Sequence, residues 1–116
     1  MTNHQINYVE FPARDLNATK QFFIDAFEWE FDDYGPDYIA FKKQGIEGGF
    51  FRATQASSTS NGAALVVLFA VNLEATQQRV EQAGGKIVQA IFDFPGGRRF
   101  HFSEPSGNEL AVWSDQ

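Results

Sequence analysis

Cysteine is absent from the 116 residues, which excludes disulfide frameworks, thiol nucleophiles and cysteine-ligated metal sites together. That absence suits a reducing compartment, and a cytoplasmic location is the expectation. Histidine is nearly absent as well, with only His4 and His101, so an imidazole-based metal site has little to draw on. Basic residues number 9 against 15 acidic ones, for a formal net charge of −6. An acidic chain with scattered cations lacks the footprint of a nucleic-acid surface. No apolar run approaches the roughly 18 residues of a membrane span, and no charged-then-apolar leader opens the chain. Neither a nucleic-acid nor a membrane partner is expected. Leucine is also scarce, with five residues, whereas phenylalanine supplies 13. At 43% hydrophobic and 21% charged, the composition is that of a folded globular protein, and the length suits one domain, residues 1–116. The rings are more numerous than a plain core requires.

The chain reads as a repeat. Asp15-Leu16-Asn17-Ala18-Thr19-Lys20-Gln21 aligns with Asn72-Leu73-Glu74-Ala75-Thr76-Gln77-Gln78, with Leu, Ala, Thr and Gln identical. An apolar extended stretch precedes each copy, Ile6–Phe11 and Ala64–Val71. Asp15 and Asn72 offer side-chain oxygens to the orphan N–H groups of a first helical turn. One helix then places Leu16, Phe22, Phe23 and Phe27 on one face; the other places Leu73 and Val80 there and leaves through Gly84-Gly85. β-rich runs predict strands at Ile6–Phe11, Phe31–Asp33, Tyr38–Lys42, Gly49–Ala53, Ala64–Val71, Lys86–Phe92, Arg99–Ser103 and Glu109–Trp113. The order is strand, helix, three strands, twice over. The modules span about 4–54 and 63–116, joined by the polar linker 55–62.

Strand periodicity separates two faces. Val9 and Phe11 oppose Tyr8 and Glu10; Phe100 and Phe102 oppose Arg99 and His101; Leu110 and Val112 oppose Glu109, Ala111 and Trp113. Each strand therefore has an apolar face for its helix and a mixed face. Curved into a cup, the mixed faces form an aromatic cavity with polar spots, the usual form of a small-molecule site. Phe11, Phe22, Phe23, Phe27, Phe69, Phe100 and Phe102 read as core, leaving Phe41, Phe50 or Phe51, and Phe92 for the cup. Trp29 reads as a packing residue.

Three motifs carry a family resemblance: Tyr8-Val9-Glu10-Phe11-Pro12-Ala13-Arg14-Asp15-Leu16, then Val71-Asn72-Leu73 with Ala83-Gly84-Gly85-Lys86-Ile87-Val88, and Ser103-Glu104-Pro105-Ser106-Gly107-Asn108-Glu109 near the end. Together they resemble the vicinal oxygen chelate superfamily, which includes glyoxalase, bleomycin-resistance and extradiol-dioxygenase types. The resemblance implies an α+β fold of two βαβββ modules in a curved, partly open mixed barrel, assembled as a homodimer. It also implies a divalent-metal site with one ligand from each of four strands. By motif spacing those positions are Tyr8, one of Gly48-Gly49-Phe50, Val66 and Ala111. None is an ordinary ligand for such a metal, and Val and Ala have no donor atom at all. No metal ligand and no cofactor is therefore expected.

The expected activity is metal-free binding of a small aromatic or amphipathic molecule. Tyr8, Phe50 and Trp113 would form its walls, and Glu10, Arg99 and His101 its polar contacts. The alternative is a lyase, isomerase or dioxygenase-type enzyme in which Glu10 and His101 act as base and orienter, or hold an atypical metal. The turn Phe94-Pro95-Gly96-Gly97-Arg98-Arg99 reads as a hairpin connection with exposed cations; the alternative is a turn over a pocket mouth, where an anionic ligand would gain from the Arg pair and the N–H groups. Asp32, Asp33 and Asp37 flank a solvated Gly35-Pro36 turn.

Overall fold

The computed structural model describes all residues, Met1–Gln116. The elements run β1 (Tyr8–Ala13), α1 (Leu16–Phe27), β2 (Glu30–Asp33), β3 (Tyr38–Lys42), β4 (Glu47–Arg52), β5 (Val66–Phe69), α2 (Leu73–Gln82), β6 (Lys86–Phe94), β7 (Gly97–Ser103) and β8 (Glu109–Ser114). The strand–helix–three-strand order thus occurs twice. Each copy forms its own four-stranded mixed sheet, ordered β1-β4-β3-β2 and β5-β8-β7-β6. In both, the first strand lies parallel to the last and the remaining pairs are antiparallel. The two sheets are separate and open, so a closed barrel is not formed within the chain.

Both helices start where their side-chain chemistry dictates. Asp15 accepts from the Ala18 N–H at 3.0 Å, and Asn72 from the Ala75 N–H at 3.0 Å. The second helix exits through Gly84 at φ +101°, a conformation that costs glycine little. Neither helix is long and apolar enough to cross a membrane.

One hydrophobic core contains residues from both modules, including Phe11, Phe22, Phe23, Phe50, Leu73, Val80, Phe100, Phe102 and Leu110. Its rings pack in offset and edge-on pairs, among them Phe23 on Trp29 at 4.5 Å and Phe22 with Phe102 at 5.7 Å. Phe22 and Phe102 belong to different modules, so this contact joins them.

A buried polar clasp adds a second join. The Thr19 hydroxyl on α1 lies 2.9 Å from Glu104 Oε1 and 2.7 Å from Ser106 Oγ. The Asn108 amide donates to the Pro12 carbonyl and to Glu104 Oε2, each at 2.7 Å, and its oxygen accepts from the Ser57 N–H at 2.8 Å. The Glu-Pro-Ser-Gly-Asn segment is therefore a structural knot that ties module two to β1 and to the inter-module segment.

Four face assignments change. Phe50 is fully buried, stacked on Phe11 at 5.2 Å, and is not a cup wall. The parallel register sets Phe50 beside Phe11, so both rings point to the helix side. Phe41 is likewise core, whereas Phe69 is 53% exposed and meets Trp113 on the opposite face. Val66 packs against the core, and the cup-facing residue of β5 is its neighbour Val67.

Candidate functional site

The mixed faces carry two different polar groupings, one in each sheet. In the first, Tyr8 and Glu10 project from β1 and Tyr38 from β3. The Tyr38 hydroxyl donates to Glu10 Oε2 at 2.8 Å and lies 2.6 Å from the Tyr8 hydroxyl. The Tyr38 ring reaches both by crossing β4 at Gly49, where a Cβ would collide with its hydroxyl and with the Ile39 carbonyl. Burial first, then the hydrogen bonds with Tyr8 and Glu10, push the Tyr38 phenol far above its ordinary range. It is a donor that stays protonated. A cleft of about 370 Å³ lies alongside, lined by Tyr8, Tyr34, Tyr38, Lys42 and Glu47.

The second sheet builds its grouping from two cross-strand rows. Directly paired residues share a face, so Phe92, Arg99, Trp113 and Phe69 form one row across β6, β7, β8 and β5. Gln89, His101, Ala111 and Val67 form the next. The Arg99 guanidinium stacks on Phe92 at 5.1 Å and Phe94 at 5.5 Å. The His101 ring sits 5.8 Å from the same Phe92. Val67, Phe94, Arg99 and Trp113 line a cleft of about 240 Å³. A separate hollow of about 390 Å³ at the start of α1 is lined mainly by polar groups, including Arg14, Asp15, Asp33 and Arg52.

His101 is 6% exposed and its Nδ1 lies 2.8 Å from Glu109 Oε2. An ionised carboxylate only accepts, so the ring nitrogen that faces it, Nδ1, carries a proton. Nε2 is buried and has no partner, and the same is true of Arg99 Nε. The other carboxylate oxygen, Glu109 Oε1, accepts from the Thr59 N–H and hydroxyl, each at 2.8 Å. The segment expected to act as a plain linker therefore folds over module two and closes around Glu109. Burial pushes the Glu109 carboxyl up, yet the His101 and Thr59 hydrogen bonds outweigh it and hold the group below the ordinary carboxylate range.

Most of the predicted cup residues lie on the mixed faces, but they do not form one constellation. Tyr8 and Glu10 are in the first sheet; Arg99, His101 and Trp113 are in the second. Glu10 is held by Tyr38 and His101 by Glu109, so the predicted Glu10–His101 pairing is replaced by His101–Glu109. The missed residues are Tyr38, Glu109 and Phe94. Strand alternation already put Glu109 on the face of Ala111 and Trp113, two residues from the expected ligand position. Only the fold of residues 57–59 onto it made it a buried partner. Arg98 and Arg99 separate as neighbours in a strand must: Arg98 turns to Glu74 on α2 and Arg99 to the cup.

A divalent metal does not fit the positions that the motif spacing selects. Ala111 and its cup-facing partner Val67 offer no donor, and Gly49 is covered by the Tyr38 ring. No group of three or more His, Asp or Glu side chains converges anywhere in the chain.

The fold is shared with solved structures of low sequence identity. One is a glyoxalase-related enzyme from Fulvimarina pelagi, 16% identical, with 96% of this chain and 88% of that one covered and a TM-score of 0.80. A lactoylglutathione lyase from Agrobacterium tumefaciens is 18% identical, with 98% and 96% covered and a TM-score of 0.72. A fosfomycin resistance protein from Listeria monocytogenes is 13% identical, with 97% and 94% covered and a TM-score of 0.79. No curated protein matches the chain by sequence. The family pattern of the Glyoxalase/Bleomycin resistance protein/Dioxygenase superfamily matches residues 5–112, nearly the whole length. With its repeated modules, its clasp and its divided cup, this chain belongs to that superfamily, the vicinal oxygen chelate proteins.

Proposed function

We propose that the protein is a metal-free binder of a small aromatic or amphipathic molecule, held on the mixed face of its sheets. The observation that carries this reading is the row Phe92, Arg99, Trp113 and Phe69, rings around one cation, beside positions where Ala111 and Val67 replace any metal donor. A cavity of apolar walls with few convergent polar groups is what a small ligand requires. Tyr8, Glu10 and Tyr38 supply a second polar patch, and the two open sheets are the walls of a partly open barrel.

The reading includes a homodimer in a reducing, cytoplasmic setting. Val67 is 42% exposed, Phe69 53% and Val71 71%, all on or beside edge strand β5. An apolar edge of this kind favours burial against another copy.

The test is a thermal-shift and calorimetric panel of aromatic and amphipathic metabolites on untagged protein, with and without divalent metals, alongside light scattering for mass. A ligand that stabilises the protein equally in chelator and in metal supports the proposal. Binding that depends wholly on metal, or no binding across the panel, overturns it.

A second reading is favoured by the His101–Glu109 pair. A carboxylate on Nδ1 with a free, buried Nε2 is the arrangement of an oriented general base. The activity would be a lyase or isomerase reaction in which Nε2 takes a proton beside a substrate carbonyl. Loss of turnover in both His101→Gln and Glu109→Gln, with binding retained, would favour this reading over simple capture.

A further inference from the structure

Three tyrosines, Tyr8, Tyr34 and Tyr38, line the cleft of about 370 Å³ on the first sheet, and the Tyr34 and Tyr38 rings lie 6.5 Å apart. What this cleft offers a ligand follows from where the phenol protons go. Tyr38 keeps its proton and donates it to Glu10 Oε2 at 2.8 Å. A phenol has one proton, so at the 2.6 Å contact between the two hydroxyls Tyr8 donates and Tyr38 accepts. Both protons are spent on a chain that runs from Tyr8 through Tyr38 to a carboxylate. These two residues can still offer a ligand lone pairs and ring faces, and no donor.

The charged groups lean the same way. Lys42, the cation of the cleft, is held by Asp32 at 3.1 Å. Glu47 sits opposite Tyr8 in the β1–β4 pairing and lines the cleft as well. No lysine, arginine or histidine pairs with Glu47 or with Glu10, although seven other carboxylates each have such a partner. Arg99, which also pairs with no carboxylate, lies in the second sheet and lines a different cleft. Tyr34 is 63% exposed, so its ring is open to a ligand. A cleft with electron-rich ring faces, phenol lone pairs and a carboxylate lacking a counter-ion is built for a cation that carries N–H donors.

Resting on the binding function proposed above, we infer that the first sheet's cleft takes an aliphatic ammonium ion, the protonated amine end of an amphipathic molecule. Its N–H groups donate to the Glu47 carboxylate and the Tyr8 hydroxyl oxygen, and its charge lies against the Tyr34 and Tyr38 rings. The hydrogen bond from Tyr38 to Glu10 adds electron density to that phenol and strengthens the attraction. The alkyl part lies over Ala40. A neutral alcohol of the same length leaves Glu47 without a counter-ion. An acid meets the Glu47 and Asp32 carboxylates, with the Tyr34 hydroxyl as the one donor not already engaged.

The experiment titrates the full chain at pH 7 with butylammonium, tetramethylammonium, 1-butanol and butyrate, followed by amide and tyrosine-ring NMR shifts. Butylammonium should bind at least about tenfold tighter than the alcohol or the acid. Tetramethylammonium, which has the charge without N–H donors, should fall between. The shifts should centre on Tyr8, Tyr34, Tyr38 and Glu47, and the affinity should weaken as salt is added. Glu47→Gln and Tyr34→Leu, both at exposed positions, should each lose about threefold or more toward butylammonium. The amide spectrum confirms that each variant is folded, and the wild-type ligand ranking stands independently of the variants. Equal affinity for butylammonium and butanol overturns the inference. So does tetramethylammonium binding as tightly as butylammonium, or shifts centred on the second sheet. If these cations fail while an uncharged aromatic from the wider panel binds, this inference falls and the binding function stands. If nothing binds, both fall.

Discussion

Glu109 is a carboxylate whose hydrogen bonds outweigh its burial, and its stability effect has a definite sign. Its folded-state pKa lies below the ordinary value. The group therefore stabilises the fold above its unfolded pKa, and that contribution is lost as pH falls through the folded one. Urea midpoints measured from pH 7 to pH 3 should fall more steeply for the wild type than for Glu109→Gln. Parallel acid limbs would show that Glu109 carries no such linkage. At pH 7 the variant should be less stable by about 1–3 kcal/mol, because Gln directs donors at His101 Nδ1–H or at the Thr59 donors. Glu104 has the opposite sign: burial pushes it up against its hydrogen bonds to Ser106, Asn108 and Thr19. Its ionisation costs stability as pH rises past the unfolded value. None of this is legible in composition. Strand alternation placed His101 and Glu109 on one face, but burial comes from Thr59, fifty residues earlier in the chain.

Among the elements, the helix starts were the most legible. A cap and its amide are three residues apart, so the interaction needs nothing from the rest of the fold. Asp15→Ala and Asn72→Ala should each cost about 1 kcal/mol, read as shifts in the denaturation midpoint. The strands were located within two residues or so at most ends, but which face went where was less secure. Alternation states that Phe50 and Phe51 point opposite ways without saying which way is inward when both are apolar. A one-residue error reverses every side chain. Pairing with Phe11 decides it for Phe50, and pairing with Trp113 decides it for Phe69. Gly49 is a related case, because its role depends on a tyrosine from the neighbouring strand. Gly49→Ala should destabilise by about 1–3 kcal/mol through overpacking. It should also displace Tyr38 from Glu10, visible as a change in tyrosine ultraviolet absorbance. An unchanged midpoint would mean that the β4 backbone yields readily.

Across the whole molecule, cohesion between the modules comes from the shared ring core and from the Thr19–Glu104–Ser106–Asn108 clasp. Asn108→Ala removes the amide that serves the Pro12 carbonyl, the Ser57 N–H and Glu104 Oε2. It should cost about 2 kcal/mol or more, given roughly 1–3 kcal/mol for each buried group left unsatisfied. Hydrogen exchange should quicken first at residues 55–62 and at the end of β1. Uniform exchange across both sheets would instead mean that the modules open together.

The order of elements, the two capped helices, the repeat and the lack of metal donors at Val and Ala were all present in the amino-acid sequence. Each depends on residue chemistry or on neighbours within about one turn. Tertiary structure alone decided that His101 pairs with Glu109 and not Glu10, that Arg99 is left without a counter-ion, and that the polar linker closes over module two. Those outcomes depend on strand register and on contacts between distant segments, and local periodicity carries no information about either.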